Sequence, residues 1–235
     1  VVQCLTAPGT GKDHSWKILL GDVDSPTCSD KVKCITRYAS PELEKFERPD
    51  VEATPSMDPV QNFGTQGFQL VDVLGNNFGP MNTPSWLLVV KYGLFGEPPY
   101  YALYCEVVEA HVRIRCLTAM GAGAGHSWQV IVDQQKSTSP KSSYGRPKIH
   151  NITGPGSTNA FSQGGQLVTV NGANMGEHMY LERVTYGFAR NPGLYVVFDA
   201  SRTSPGNCLV NSHWQVECTT LPGVGDKLYW QVTVK

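Results

Sequence analysis

Short runs of alternating apolar and polar residues recur along the chain, and this pattern predicts half-buried β-strands. In the run Trp230–Val234 every second residue is apolar, and the runs that begin at Trp16 and Trp128 alternate in the same way. Each tryptophan starts the apolar face of its run. We therefore predict that Trp16, Trp128 and Trp230 lie in the protein core.

These tryptophan runs belong to an internal repeat that occurs three times. Cys4, Cys116 and Cys218 each begin the pattern C-x-T-x-x-G-x-G-x4-W, with no insertion or deletion between the copies. Cysteine and tryptophan are rare residues, so a spacing that both keep three times indicates a true repeat. The Gly-x-Gly at the centre of the pattern predicts a turn between two strands.

An upstream part of the repeat occurs twice. Each copy contains three segments in the same order: Arg48-Pro49, Gly67–Gly79 and Val90–Gly93, then Arg146-Pro147, Gly165–Gly176 and Val184–Gly187. One complete unit is therefore about 90 residues of short strands, a size and spacing typical of a β-sandwich.

The repeat divides the chain into five segments. They are residues 1–24, the closing strands of an upstream unit; 25–47, a connector with its own cysteines; 48–135, a complete unit; 136–145, a linker; and 146–235, a second complete unit. Since residues 1–24 match only the end of a unit, we expect the parent protein to continue upstream. Within the connector, Pro41–Phe46 suggests a single helical turn.

The ordered motifs carry a family resemblance. The segment Gly67–Gly79 ends in Gly-x-Asn-Phe-Gly, Val90–Gly93 reads Val-x-Tyr-Gly, and Cys218–Val234 reads C-x-T-x-P-G-x-G-x4-W-x-V-x-V. In this order they resemble IPT/TIG domains, the immunoglobulin-like domains of plexins and some transcription factors. Met120 and Met175 are small departures from that pattern. The resemblance implies an all-β fold of tandem immunoglobulin-like sandwiches, but no single function, because the family includes receptors, adhesive proteins and DNA-binding factors.

The chain has seven cysteines, an odd number, and the repeat explains the odd one. A cysteine precedes the repeat cysteine by eleven positions in one complete unit and by ten in the other, so each pair flanks a hairpin. Cys4 has no such partner in the chain, and we expect it to bond a cysteine outside residues 1–235. Cys28 and Cys34 remain, close enough to close a small loop in the connector. Reduced thiols are the alternative, but repeated pairing favours an oxidising compartment, extracellular or at the cell surface. The predicted disulfides are Cys105–Cys116, Cys208–Cys218 and Cys28–Cys34.

Composition and charge exclude several partners. Charged residues make up 17% of the chain and the net charge is −1, so there is no basic excess to neutralise phosphates. We therefore expect no nucleic-acid binding. Apolar runs are too short for direct membrane insertion of this segment. The sequon Asn151-Ile152-Thr153 predicts a glycosylation site at Asn151, and hence a glycoprotein.

No catalytic arrangement is evident in the repeat. His14-Ser15 and His126-Ser127 precede two of the tryptophans, but the third copy has Leu228-Tyr229 there, and no carboxylate recurs beside them. Adjacent residues on a strand point to opposite faces, so this His and Ser are badly placed to activate each other. We expect no enzyme activity, no cofactor and no metal site.

Serial units, disulfides and a neutral surface favour a structural or adhesive segment of a secreted or cell-surface protein, such as a stalk, fibre or filament. Its partners would be proteins: neighbouring repeats, and copies of itself in a fibre. The main alternative is a ligand-binding ectodomain of a plexin-like or growth-factor-type receptor. A DNA-binding factor and an accessory module of a carbohydrate-active enzyme are two further alternatives, which require reduced cysteines with a basic loop and an attached catalytic domain, respectively.

Overall fold

The computed structural model describes residues 3–25, 35–51, 59–97, 99–137, 140–187, 198–199 and 208–235. Within these ranges the chain is built of β-strands and contains no α-helix. The helical segments described are single 3-10 turns at Pro59–Gln61, Ser85–Leu87 and His178–Tyr180. None of the described helices has the length and apolarity needed to cross a bilayer.

Contacts between Cα atoms divide the chain into two compact units, and neither is one continuous stretch. The first comprises Val1–Glu52, Leu70–Thr118 and Ser127–Lys141. The second comprises Ala53–Gln69, Ala119–His126 and Ser142–Lys235.

The first unit begins with short strands that form two separate two-stranded sheets. Strand β1 pairs with β4, and β2 pairs with β3, both antiparallel. Their bounds are β1, His14–Ser15; β2, Leu19–Leu20; β3, Val23–Asp24; and β4, Ile35–Thr36.

Two larger sheets follow in the chain. The strands are β5, Glu42–Glu47; β6, Leu70–Asn76; β7, Leu88–Gly93; β8, Tyr100–Tyr101; β9, Leu103–Glu109; β10, Arg113–Leu117; β11, His126–Val132; β12, Gln135–Lys136; and β13, Lys141–Ser142. One sheet has the order β5-β6-β10-β9; the other has the order β12-β11-β7-β8, with β13 also paired to β11.

The two larger sheets face each other through aromatic side chains. Trp128 of β11 stacks on Tyr92 of the neighbouring β7, with ring centroids 4.1 Å apart. From the opposite sheet, Phe46 of β5 reaches Trp128 at 4.9 Å. Alternate residues of β6 and β10, such as Val73 and Ile114, are fully buried. The arrangement is a β-sandwich closed around this core.

The second unit contains the other sandwich. The strands are β14, Lys148–Thr153; β15, Leu167–Ala173; β16, Leu181–Gly187; β17, Phe198–Asp199; β18, Cys208–Ser212; β19, Gln215–Thr219; and β20, Tyr229–Val234. One sheet has the order β14-β15-β19-β18 and the other β17-β16-β20. Val168 and Val216 from the first sheet share a core with Val184 and Val232 from the second.

Residues 42–47 form a strand, so the prediction of a helical turn at Pro41–Phe46 is wrong. Strand β5 pairs with β6 as β14 pairs with β15, and each edge strand has an irregularity after its second residue. In β5 this bulge falls between Leu43 and Lys45, where it breaks the period-two alternation that would have revealed a strand. The first strand of this sheet therefore lies upstream of residue 48.

The three repeat tryptophans differ in burial. Trp128 has no exposed surface, whereas Trp230 is half-buried and stacks on Tyr186 at 4.4 Å. Trp16 is 49% exposed, which differs from its predicted core position. In the described part of the chain, the sheet beside Trp16 consists of β1 and β4 alone, and its indole nitrogen donates a hydrogen bond to Thr36 Oγ1 at 2.9 Å.

Disulfides close two equivalent hairpins. Cys105 is bonded to Cys116 across β9 and β10, and Cys208 is bonded to Cys218 across β18 and β19. Cys4 carries an exposed free thiol in this single chain. The predicted pair Cys28–Cys34 lies outside the described residues.

Candidate functional site

The centre of each repeat forms a loop with one recurring backbone conformation. We call these segments the glycine loops: loop 1 is residues 7–14, loop 2 is 119–126 and loop 3 is 221–228. The second glycine of each Gly-x-Gly has a positive φ, as does the residue two positions later. The angles are Gly11 97° and Asp13 63°, Gly123 102° and Gly125 73°, and Gly225 146° and Lys227 55°. This left-handed geometry favours glycine, which has no Cβ to clash.

Loop 1 holds a tyrosine from the following connector. The backbone N–H of Tyr38 donates to the Gly11 carbonyl at 2.9 Å, and the Tyr38 hydroxyl donates to the Ala7 carbonyl at 2.5 Å. His14 meets the Tyr38 ring edge to face, with centroids 5.4 Å apart. Loop carbonyls thus hold Tyr38 at its backbone N–H and at its hydroxyl, and His14 contacts one side of the ring.

Loop 2 holds Tyr144 in the same way. The Tyr144 N–H donates to the Gly123 carbonyl at 2.8 Å, and its hydroxyl donates to the Ala119 carbonyl at 2.9 Å. His126 meets the ring edge to face at 5.3 Å, and its Nε2 lies 3.1 Å from the Ala122 carbonyl. A carbonyl oxygen only accepts, so Nε2 carries the proton. We call this arrangement of loop, histidine and tyrosine the tyrosine dock.

At loop 2 a second wall holds the same segment. The Phe63 N–H donates to the Ser143 carbonyl at 3.1 Å, and the Gly145 N–H donates to the Phe63 carbonyl at 2.8 Å. On the loop side the Gly125 N–H donates to Ser143 Oγ at 2.9 Å. Residues 143–145 therefore lie between two hydrogen-bonding edges, and both Phe63 and Tyr144 are buried.

Burial governs the electrostatics of the loop 2 dock. Loss of hydration lowers the pKa of His126, and hydrogen bonds to the Gly123 and Ala122 carbonyls oppose that effect. The neutral imidazole is the form that fits beneath Tyr144. The dock is thus an apolar and aromatic pocket lined with backbone carbonyls.

Loop 3 has no docked tyrosine among the described residues, and a cleft of about 720 Å³ lies beside it. At the floor, Tyr186 stacks on Trp230, and the Tyr186 hydroxyl accepts a hydrogen bond from the Leu221 N–H at 2.7 Å. Burial raises the pKa of Tyr186, so the phenol is protonated at neutral pH. Leu228 takes the place of the histidine in loops 1 and 2.

Equivalent residues of loops 2 and 3 differ in exposure. Ala122 is 2% exposed in loop 2, whereas Val224 at the same repeat position in loop 3 is 80% exposed. Val224 therefore gives loop 3 an exposed apolar side chain where the equivalent residue of loop 2 is covered.

The docked tyrosines are not among the residues predicted above from the sequence. Tyr38-Ala39-Ser40-Pro41 and Tyr144-Gly145-Arg146-Pro147 share the pattern Tyr-x-x-Pro just before strands β5 and β14, and this signal could have revealed them. The repeat pattern pairs Arg146-Pro147 with Arg48-Pro49 instead. His14 and His126, weighed above for catalysis, contact these tyrosines.

The glycosylation candidate lies on an edge strand. Asn151 is exposed in β14, opposite Asn171 of β15. The sequon hydroxyl, Thr153 Oγ1, accepts a hydrogen bond from Asn171 Nδ2 at 3.2 Å. Glycosylation of Asn151 stays a prediction.

The described ranges contain no group of three His, Cys, Asp or Glu side chains close enough to hold a metal ion.

No protein-family model matches the chain, and no curated protein matches it. One solved structure to which it is similar is the full extracellular region of plexin A4, domains 1 to 10. The TM-score is 0.31 and the identity 14%, over 81% of this chain and 13% of that chain. The chain thus spans a small part of that structure, and the fold assigned here rests on the sheets themselves: an all-β protein of sandwich architecture.

Proposed function

We propose that the chain is a structural or adhesive segment of a secreted or cell-surface protein, built from tandem immunoglobulin-like units of the IPT/TIG type. In this role loops 1 and 2 fasten the connectors that follow them. The observation that carries the proposal is the recurrence of the tyrosine dock, with Tyr38 on loop 1 and Tyr144 on loop 2.

A dock of this kind suits a load-bearing or spacing role. Connectors between domains are normally mobile, which leaves the domains free to reorient. Two backbone edges and a buried ring restrain residues 143–145, so this linker is held. The two hairpin disulfides support an oxidising location, outside the cell or at its surface. We further propose that the segment is not an enzyme and acts through proteins, including copies of itself in a fibre.

A ligand-binding receptor ectodomain is the second candidate, and one observation favours it. Loop 3 presents an open cleft with an aromatic floor, the type of surface at which proteins bind peptides. A receptor requires an accessible surface of this kind, whereas a structural role does not.

Limited trypsin digestion tests the structural role. Lys141, which is followed by Ser142, lies just before the docked segment and is a potential cleavage site, whereas the bond after Arg146 resists trypsin because Pro147 follows it. Replacing Tyr144 with Ala removes a buried ring and a hydrogen bond, about 3 kcal/mol together, so the linker should open far more often. We expect cleavage in the linker to be at least about tenfold faster in Tyr144→Ala.

The matched control is Tyr101→Ala, because Tyr101 lies in strand β8 with its ring largely exposed. This variant should be cleaved at the wild-type rate. Equal linker cleavage in wild type and Tyr144→Ala would contradict the proposed fastening role, provided the near-ultraviolet circular dichroism shows both proteins folded.

A further inference from the structure

Both sandwiches carry the same turn at the ends of strands β6 and β15, at residues 75–79 and 172–176. Each turn reads Gly-x-Asn-x-Gly, and its Asn and last Gly have positive φ angles. A hairpin of the same sheet fixes this shape, because the residue after the Asn donates its N–H to a histidine carbonyl. The acceptor is His111 at 3.1 Å in the first sandwich and His213 at 2.9 Å in the second. We call these two segments the Asn-Gly turns.

The middle residue of Gly-x-Gly in loops 1 and 2 lies against the last glycine of an Asn-Gly turn. A Cβ added to Gly176 would lie 3.5 Å from the Cβ of Ala122 in loop 2, and Ala122 is buried. A Cβ added to Gly79 would lie 2.5 Å from Cγ2 of Thr10 in loop 1. In each case the loop and the turn belong to the same compact unit. Glycine allows this close approach because it has no side chain.

The asparagine of each turn binds the connector just beyond the docked tyrosine. Asn77 Nδ2 donates a hydrogen bond to the Ser40 carbonyl at 3.1 Å, and Asn174 Nδ2 donates one to the Arg146 carbonyl at 3.2 Å. Both carbonyls belong to the residue two positions after the docked tyrosine. The connector is therefore held first by the glycine loop and then by the turn of the sandwich that follows.

Further polar contacts lie beside each turn. The carbonyl of buried Thr65 accepts a hydrogen bond from the Gly121 N–H of loop 2 at 3.0 Å, and its hydroxyl oxygen lies 2.9 Å from Nδ1 of His213. At loop 1, Gln135 Nε2 of strand β12 donates to the carbonyl of the docked Tyr38 at 3.0 Å. Side chains of the following sandwich thus contact the loop region at both places.

We infer that each Asn-Gly turn is the surface on which a sandwich receives the glycine loop of the preceding repeat, so that loop, connector and turn form one recurring joint. Two features define the partner that this surface fits: a small residue at the centre of Gly-x-Gly, and a free backbone carbonyl two residues after a docked tyrosine. Because the contacts of glycine and asparagine occur at both loops, the joint belongs to the repeat and not to one linker. This inference deepens the proposed structural role of the glycine loops and rests on it.

Introduced cysteine pairs test the contact between loop and turn. Ala122→Cys with Gly176→Cys, in the whole chain with Cys4→Ser to remove the free thiol, should form a disulfide when oxidised glutathione is added. The Cβ separation of 3.5 Å falls within the range of disulfides. The equivalent pair at loop 1, Thr10→Cys with Gly79→Cys, should also form one. Non-reducing peptide mapping identifies both bonds.

The matched control pair is Ala122→Cys with Gly165→Cys. Gly165 also has a positive φ, 81° against 74° for Gly176, so a cysteine is equally strained there. A Cβ added to Gly165 would meet no other described residue within 4 Å. The control pair should therefore stay reduced.

The part played by asparagine is measured in the protein that carries the pair at positions 122 and 176. Asn174→Gly removes the hydrogen bond to the Arg146 carbonyl and tolerates the positive φ of 58°. The effective concentration of the two thiols, obtained from equilibria with glutathione, should fall about fivefold. Asn159→Gly is the control, since Asn159 is exposed and has a φ of 56°, and it should leave that concentration unchanged.

No cross-link at either loop in protein that circular dichroism shows to be folded would overturn the inference, as would an equal yield in the control pair. An unchanged effective concentration in Asn174→Gly would overturn it too. If the pair at loop 2 prevents folding, the pair at loop 1 decides. Digestion of Tyr144→Ala reports on the dock alone, so a failed cross-link with a released linker leaves the proposed function standing. Equal cleavage with an intact cross-link would instead contradict the proposed function.

Discussion

At the scale of single residues, the position two before the repeat tryptophan distinguishes the filled docks from the open cleft. His14 and His126 lie against a docked tyrosine ring, whereas Leu228 lines the cleft that holds none. The sequence showed that leucine replaces histidine in the third copy, but not that the histidines contact a tyrosine. In the sequence, a histidine beside a serine suggests a catalytic pair. The fold shows instead that a tyrosine from further along the chain packs on each histidine ring.

The titration of His126 gives a prediction of pH dependence. Burial lowers its pKa in the folded state, so the unfolded chain binds the proton more readily and stability falls as the pH drops below the unfolded value of 6.5. The free energy of unfolding, from urea titrations, should be lower near pH 5 than near pH 7.5. His126→Leu, which copies loop 3, should show a smaller decrease.

His213 supplies a second part of that dependence, because burial also lowers its pKa. The His126→Leu variant should therefore still lose some stability at acidic pH, because His213 remains. An unchanged pH dependence in His126→Leu would contradict the assignment of His126 as a neutral residue of the dock.

The three tryptophans should differ in their contribution to stability. Trp128→Ala removes a fully buried ring, so we expect it to lower the free energy of unfolding by about 3–5 kcal/mol. Trp16→Ala should cost less than about 1 kcal/mol because that ring is half exposed. The loss of stability caused by Trp230→Ala should lie between these two values. Urea denaturation of the three variants provides the measurement, and equal losses would contradict the burial described here.

At the scale of elements, sequence reasoning worked where the period-two alternation was unbroken. Strands β11 and β20 follow that pattern, and the hairpins β9–β10 and β18–β19 coincide with the cysteine spacing. It failed at β5, where a bulge displaces the apolar residues from strict alternation. A bulge depends on the pairing partner, so the sequence of one strand does not reveal it.

The hairpin disulfides yield a prediction at this scale. Non-reducing peptide mapping of secreted protein should recover Cys105–Cys116 and Cys208–Cys218. Replacing both cysteines of one pair with Ala should lower the free energy of unfolding by about 3 kcal/mol, since each bond closes a loop of about a dozen residues. Free thiols at these four positions in native material would contradict the proposed extracellular location.

At the scale of the whole molecule, the repeat governs both the fold and the docks. Each glycine loop belongs to one copy of the repeat, and each docked tyrosine lies downstream of its loop in the chain. Alternation and spacing predicted an all-β chain of sandwich type, and the sheets show it. The docks could not be predicted from spacing alone, because a tyrosine in a polar linker gives no periodic signal and its burial depends on two walls formed by distant segments.

Amide hydrogen exchange in the whole chain tests directly whether the glycine loops hold the tyrosines that follow them. Accordingly, the amides of Tyr38 and Tyr144 should exchange at least about a hundredfold more slowly than in an unstructured peptide. The amide of Val224, in the open loop, serves as the fast reference, since no hydrogen bond from it is found among the described residues. Exchange of Tyr38 and Tyr144 as fast as that of Val224 would contradict the account.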